Sequence, residues 1–161
     1  MAKTSRAVPE GYHTVTASLT LDEAAKAIDW YKRALGAEEI MRNTGPDGRI
    51  MHAEIQVGDS RVMLNDAMMG GKSARAYGGC PASLWLYVDD CDALFNRAVA
   101  AGAEPVMPLG DQFWGDRFGA FLDPFGYRWS IATHKEDLSY EEIQRREAEW
   151  LKQFAAKGGQ Y

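Results

Sequence analysis

The sequence predicts an α+β fold of two β-α-β-β-β modules followed by a C-terminal helix. Three observations predict it. Strand and helix periodicities run in the same order twice along the chain. The two runs also match in their letters: Leu35-Gly-Ala-Glu-Glu-Ile40 against Ala101-Gly-Ala-Glu-Pro-Val106, Leu21-Asp22-Glu23 against Val88-Asp89-Asp90, and Arg49 and Gly58 against Arg117 and Gly126. The offset between them drifts only from 66 to 68 positions. Finally, Asp123-Pro-Phe-Gly126 is a tight turn placed to join the last two strands. Pro124 sets φ at about −65° and Gly126 takes the positive φ that closes the turn. The boundaries that follow are a flexible arm at residues 1–10, a first module at 11–66, a linker at 67–81, a second module at 82–134, and a helix with its tail at 135–161.

The arm is polar and carries Pro9. His13 to Leu21 alternates, with Thr14, Thr16, Ser18 and Thr20 against Val15, Ala17, Leu19 and Leu21, so a strand is expected there. A helix starts near Asp22. Ala24, Ala27, Ile28, Tyr31 and Leu35 recur at helical spacing, and Gly36 ends the run. Glu38 to Asn43 is a second strand, Thr44 to Gly48 a turn, Ile50 to Val57 a third strand, and Ser60 to Asn65 a fourth after the Gly58-Asp59 turn.

The second module repeats this plan. Ala82 to Val88 is a strand and Asp89 to Ala101 a helix stopped by Gly102. Glu104 to Met107 is the next strand, and the hairpin around Asp123 supplies the last two. In the final strand Tyr127, Trp129 and Ile131 form a large apolar face expected to pack on helices. Arg128, Ser130, Ala132 and His134 form a smaller polar face expected to line a concavity. Beyond it, Ser139 and Glu142 make a capping box, and Ile143, Trp150, Leu151 and Phe154 make an apolar stripe. That stripe is expected to dock on its own module pair or on a second subunit, and the closing Gly-Gly-Gln-Tyr is expected to fray.

Composition narrows the classes. A chain of 161 residues, 46% hydrophobic and 25% charged, suits a globular protein that needs no disulfide staple. A net charge of −5 gives no general attraction to phosphate backbones, so a nucleic-acid partner is not expected. No apolar run approaches the ~18 residues of a membrane span, and residues 1–11 hold no signal-peptide core. Cys80 and Cys91 lack metal-ligand spacing and read as reduced thiols, which fits the cytoplasm.

Two groups of residues carry candidate chemistry. The first is aromatic: Trp85 and Tyr87 alternate onto one face of the fifth strand, and Trp114 lies in a loop crowded with Gln112, Asp116 and Arg117. Such a wall suits a flat or extended organic ligand whose polar groups the loop would fix. The same rings would equally fill a cavity that takes no ligand, and Asp116 with Arg117 would equally make a surface ion pair. The second group is His52, Glu54 and Gln56, at i, i+2 and i+4 on the third strand. Parity points His52 and Glu54 into the same cavity as Trp85, Tyr87 and Ser130. A carboxylate beside an imidazole can serve as an acid/base pair. A solvated polar strand face is the plainer explanation. His13 and His134 read as exposed.

The helix motif Ala27-Ile-Asp-Trp-Tyr31 running to Leu35-Gly-Ala-Glu38, and Asp123-Pro-Phe-Gly126 before a final strand, resemble the vicinal oxygen chelate superfamily of glyoxalases, bleomycin-resistance proteins and extradiol dioxygenases. Gly11-Tyr-His-Thr-Val-Thr16, Gly45-Pro-Asp-Gly-Arg49 with Met51-His-Ala-Glu54, and Gln112-Phe-Trp-Gly-Asp-Arg117 resemble its PhnB-like branch. The resemblance spans about residues 11–137. It implies a half-open eight-stranded barrel around a cavity, module pairing within one chain or between two, and frequent homodimers.

In metal-bearing relatives, four pocket positions hold His, Glu or Gln. Carried over, they fall on Thr16, on Val62 or Met63, on Ser83 and on Ser130. These side chains offer a divalent ion no formal charge, so no metal and no other cofactor is expected. The reading that follows is a small-molecule-binding protein that sequesters an aromatic or amphipathic ligand through Thr16, Trp85, Tyr87, Gln112, Trp114, Asp116, Arg117 and Ser130. The alternative is a lyase or isomerase of glyoxalase type. His52 and Glu54 would then be acid and base or part of a displaced metal site, with Gln112 or Arg117 facing a developing oxyanion.

Overall fold

A computed structural model describes residues 6–158. The expectations for residues 1–5 of the arm and 159–161 of the tail fall outside the described residues. The first module comprises β1 (Ala17–Leu21), α1 (Ala24–Leu35), β2 (Glu38–Thr44), β3 (Ile50–Val57) and β4 (Ser60–Asp66). The second comprises β5 (Ser83–Tyr87), α2 (Cys91–Ala100), β6 (Glu104–Asp111), β7 (Asp116–Leu122) and β8 (Arg128–His134). A 3-10 turn at Arg75–Tyr77 lies in the linker, and α3 (Tyr140–Ala156) follows the second module. Each module forms a four-stranded mixed sheet, ordered β1-β4-β3-β2 and β5-β8-β7-β6, with one parallel pair beside two antiparallel ones.

Two strand boundaries differ from expectation. β1 starts at Ala17 rather than His13, because its partner β4 begins only at Ser60 and Ala17 already pairs with Val62. Residues earlier than Val15 would have no ladder to join, and Val15 is exposed. β6 runs on to Asp111, past Pro105 and Pro108. It is an edge strand with register shifts at Pro105/Met107 and Met107/Gly110, and missing N–H donors are tolerated there.

The helices begin where carboxylates and hydroxyls meet their free N–H groups. Asp66, at the end of β4, accepts from Ala24 N at 2.7 Å and from Ile50 N at 2.7 Å, so it caps α1 and pins β3 together. Asp90 caps α2 through Ala93 N, and Ser139 caps α3 through Glu142 N. Gly36 ends α1 at φ 71°, a conformation that costs glycine little.

The inner face of each sheet shares one core with both helices. Leu19, Leu21, Ala53, Ile55 and Leu64 of the first sheet join Phe121, Trp129 and Ile131 of the second, with Ile28, Trp30 and Tyr31 of α1 and Leu94, Phe95 and Ala98 of α2. The apolar face expected for Tyr127, Trp129 and Ile131 is therefore buried on helices. The α1 rings reach across the modules: Trp30 lies 6.4 Å from Phe121, and Tyr31 lies 5.5 Å from Trp129. Trp30 Nε1 donates to Ala101 O at 2.8 Å, and Arg97 Nε donates to Ala34 O at 2.9 Å. The modules thus pack back to back through their helices. The outer face of each sheet lies away from that core.

Candidate functional site

The outer face of the second sheet gathers most of the predicted ligand-binding residues. On β5, Trp85 stacks on Phe118 of β7 with ring centroids 4.7 Å apart and an interplanar angle of 12°. Tyr87 lies 6.0 Å from Trp85, and Trp114 lies 5.9 Å from Phe118. These positions follow from alternation: Trp85 pairs with Ser130, Tyr87 and Phe118 both pair with Ala132, and Asp116 pairs with His134. The small side chains of Ser130 and Ala132 leave room for the rings beside them.

Asp116 sits beneath this array, buried to 3%. Its Oδ2 accepts from Tyr87 Oη at 3.0 Å and from Trp114 Nε1 at 3.0 Å. Its Oδ1 is 2.8 Å from His134 Nδ1, and His134 Nε2 is 3.0 Å from Asp137. Asp116 and then Asp137 favour the imidazolium, so the His134 pKa is raised above its ordinary value. Burial, with Asp116 beside it, pushes the Tyr87 phenol up, which keeps it a donor. Clefts of about 450 Å³ and 430 Å³ flank Tyr87, one against Asp89 and His134, the other between Trp85 and the Gly58-Asp59 turn.

A second cluster occupies the outer face of the first sheet. His52 Nε2 lies 3.1 Å from Glu54 Oε1, as the sequence spacing suggested. The other carboxylate oxygen accepts from Arg61 Nη1 at 3.0 Å, and the Tyr12 hydroxyl also bonds Glu54. Tyr12, His52 and Arg61 hold the Glu54 carboxyl below its ordinary range. A carboxylate so stabilised is a weak base. The Arg61 guanidinium carbon lies 5.3 Å from the centroid of the Tyr12 ring.

Five predicted positions stand apart. His52 and Glu54 lie on the outer face of the first sheet, while Trp85, Tyr87 and Ser130 lie on that of the second. Alternation sorts residues onto faces but does not say which faces meet. Arg117 points to the other side of its strand, where Nε and Nη2 bond Asp92 at 2.6 and 2.7 Å and Nη1 bonds Asp111 at 3.3 Å. From β7 it pairs with Asp92 on α2 and is not part of the aromatic wall. Gln112 turns its amide to Gly110 O at 3.0 Å. Thr16 precedes β1 and donates to His13 O at 3.3 Å.

Phe118, Arg61, Tyr12 and the role of His134 were missed. Phe118 follows Asp116 at i+2, so alternation along β7 was a usable signal for it. Tyr12 lies outside every regular element, and nothing in its neighbourhood along the chain announces its contact with Glu54.

The model of the Glyoxalase/Bleomycin resistance protein/Dioxygenase superfamily matches residues 13–131. The chain belongs to this superfamily. It is 46% identical over 131 residues to the uncharacterized protein Rv0887c of Mycobacterium tuberculosis, covering 78% of this chain and 77% of that protein. It is also similar to protein YjdN of Escherichia coli, 29% identical over 131 residues, 68% of this chain and 87% of that one. Among solved structures, TioX from Micromonospora sp. ML1 superposes with a TM-score of 0.61 at 28% identity, covering 76% of this chain and 98% of that one. A PhnB protein from Bacillus cereus superposes with a TM-score of 0.61 over 75% of this chain and 99% of that one. At 19% identity it shows the fold alone.

The four positions carried over from metal-bearing relatives fall as follows in the structure. Val62 is buried in the core while Met63 pairs with Glu54 and Ser18 on the outer side, so the β4 position is Met63. The hydroxyls of Ser83 and Ser130 lie 2.9 Å apart and bond each other. Thr16, Met63, Ser83 and Ser130 do not fit a divalent ion, since they offer neither imidazole nor carboxylate. Among the described residues, no three His, Cys, Asp or Glu side chains are grouped to hold a metal. Among those residues too, no helix is long and apolar enough to cross a membrane.

Proposed function

We propose that this superfamily member is a small-molecule-binding protein that works without the family's usual metal. It holds an aromatic or amphipathic ligand against the outer face of the second sheet. The observation that carries the reading is the joined array of Trp85, Phe118, Trp114 and Tyr87 over the buried Asp116. Trp85 and Tyr87 remain 45% and 63% exposed, so a large part of each ring still faces solvent. A second copy of the chain completes the site, since each sheet presents only half of an enclosing wall.

The test is a thermal-shift screen of small aromatic and amphipathic compounds on the wild type and on Trp85→Ala. Compounds that bind the native state raise Tm with concentration. Wild type is expected to shift by several degrees and Trp85→Ala not to shift. Equal shifts in both, or none in either, would refute the reading.

The His52–Glu54 contact at 3.1 Å favours a second reading, in which His52 moves a proton in a lyase or isomerase reaction. His52→Ala separates the two. Binding that survives while a measurable turnover disappears supports the enzyme; binding with no turnover in either form excludes it.

A further inference from the structure

We propose that the aromatic face of the second sheet selects an organic cation, a planar ring system bearing a fixed positive charge. This rests on the small-molecule-binding reading above and narrows its ligand class.

The ring faces carry negative quadrupole potential, which attracts a cation placed over them. Two of the rings are made richer in electrons by their setting. The Tyr87 O–H and the Trp114 N–H both donate to the same oxygen of Asp116. Donation to a carboxylate pushes electron density from the heteroatom into the ring. Asp116 is buried, so solvent screens it little. Phe118 covers one face of Trp85 and leaves the indole partly exposed, which gives the ligand a flat surface to stack on.

The surrounding charges agree. His134 is the cation nearest Asp116, and it lies between two carboxylates, Asp116 at 2.8 Å and Asp137 at 3.0 Å. Two carboxylates and one imidazolium leave the cluster with one net negative charge. Tyr87 and Asp89 border the same cleft as His134, and neither adds positive charge. Arg117 is committed to Asp92 and Asp111 on the opposite side of the strand, and Lys135 also acts on Asp92. Arg128 shares the outer face two residues from Ser130, the partner of Trp85, so its charge borders the Trp85 end of the wall, while it lies six residues along β8, roughly 20 Å, from His134 at the Asp116 end where the cation is placed.

The experiment compares two fluorescent probes of nearly the same shape at physiological salt, which screens the chain's general negative charge: 10-methylacridinium, a planar cation, and acridone, which is uncharged. Wild type is expected to bind the cation at least tenfold more tightly. Asp116→Asn removes the charge, and Tyr87→Phe keeps the ring while losing its hydrogen bond. Both are expected to reduce the preference severalfold, with circular dichroism confirming that each variant is folded. If acridone binds equally or more tightly, the cation inference is overturned while the small-molecule reading stands. If neither probe binds, the cation inference is overturned, and the thermal-shift screen above decides separately whether the small-molecule reading stands. A preference undiminished in both folded variants would show that Asp116 is not its source and would also overturn the proposal. The Tyr87→Phe result decides the question if Asp116→Asn does not fold.

Discussion

Asp123 ties the two modules together through one side chain. Its carboxylate accepts from Tyr31 Oη at 2.7 Å, Trp129 Nε1 at 2.9 Å, Phe125 N at 2.9 Å and Tyr127 N at 2.9 Å. Burial and this carboxylate push the Tyr31 phenol well above its ordinary value, so it remains a donor. Tyr31→Phe removes one of four donors and is expected to cost about 1 kcal/mol. Asp123→Ala leaves an indole, a phenol and two backbone N–H groups without their acceptor. It is expected to cost about 3 kcal/mol or more, lowering Tm by roughly 6–12 °C. Calorimetry on both variants checks the order; equal small losses would mean water replaces the carboxylate. Along the chain Asp123 reads only as a turn residue. Its bond to a tyrosine 92 positions upstream depends on how the modules pack, and no local pattern encodes that. Arg117 illustrates the converse. Its neighbours along the chain suggested a ligand-facing loop, but strand parity sends it to Asp92.

At the scale of elements, α3 is attached rather than buried. None of its residues is buried, and Trp150 meets the body with its ring 5.7 Å from Phe113. Lys135 N and Glu136 N both donate to Gly115 O at 3.0 Å, and Arg146 bonds Glu136 at 2.9 Å. His134 holds the start of this strap by pairing with Asp116 and Asp137. Because its pKa is raised in the folded state, this contribution is complete below the unfolded value near 6.5. It is lost as pH rises through the folded value. Amide exchange in α3, corrected for its intrinsic pH dependence, is expected to speed up across that range in wild type. In His134→Ala it is expected to be fast throughout; protection unchanged by pH would contradict the link. The helix itself was legible, since Ser139 and Glu142 mark its start. Its mode of docking was not, because an apolar stripe names a face without naming what covers it. β1 shows the same limit: the alternation from His13 was real, but a strand exists only where its partner does.

At the scale of the whole molecule, the repeat was plain in the sequence and the relation between the repeats was not. Alternation gave both faces of both sheets correctly at Leu19, Ile55, Trp129 and Ile131. It did not decide between modules packed edge to edge around a cavity and modules packed back to back through α1 and α2. The second arrangement leaves Met41, Trp85, Tyr87 and Met107 on open surfaces. A second copy covering them would bury these side chains, and an ordinary stable interface buries about 800 Å² per partner. Light scattering at micromolar concentration is therefore expected to give twice the chain mass, and a monomer would count against a site completed by two copies.

This member of the superfamily is expected to bind its ligand without the usual ion. Metal content decides it most directly, measured on protein purified without a metal-affinity column and again after dialysis against Zn²⁺, Ni²⁺, Fe²⁺ and Mn²⁺. The expected result is no ion retained near one per subunit. An ion held stoichiometrically would contradict the account and make His52 and Glu54 the first ligands to mutate.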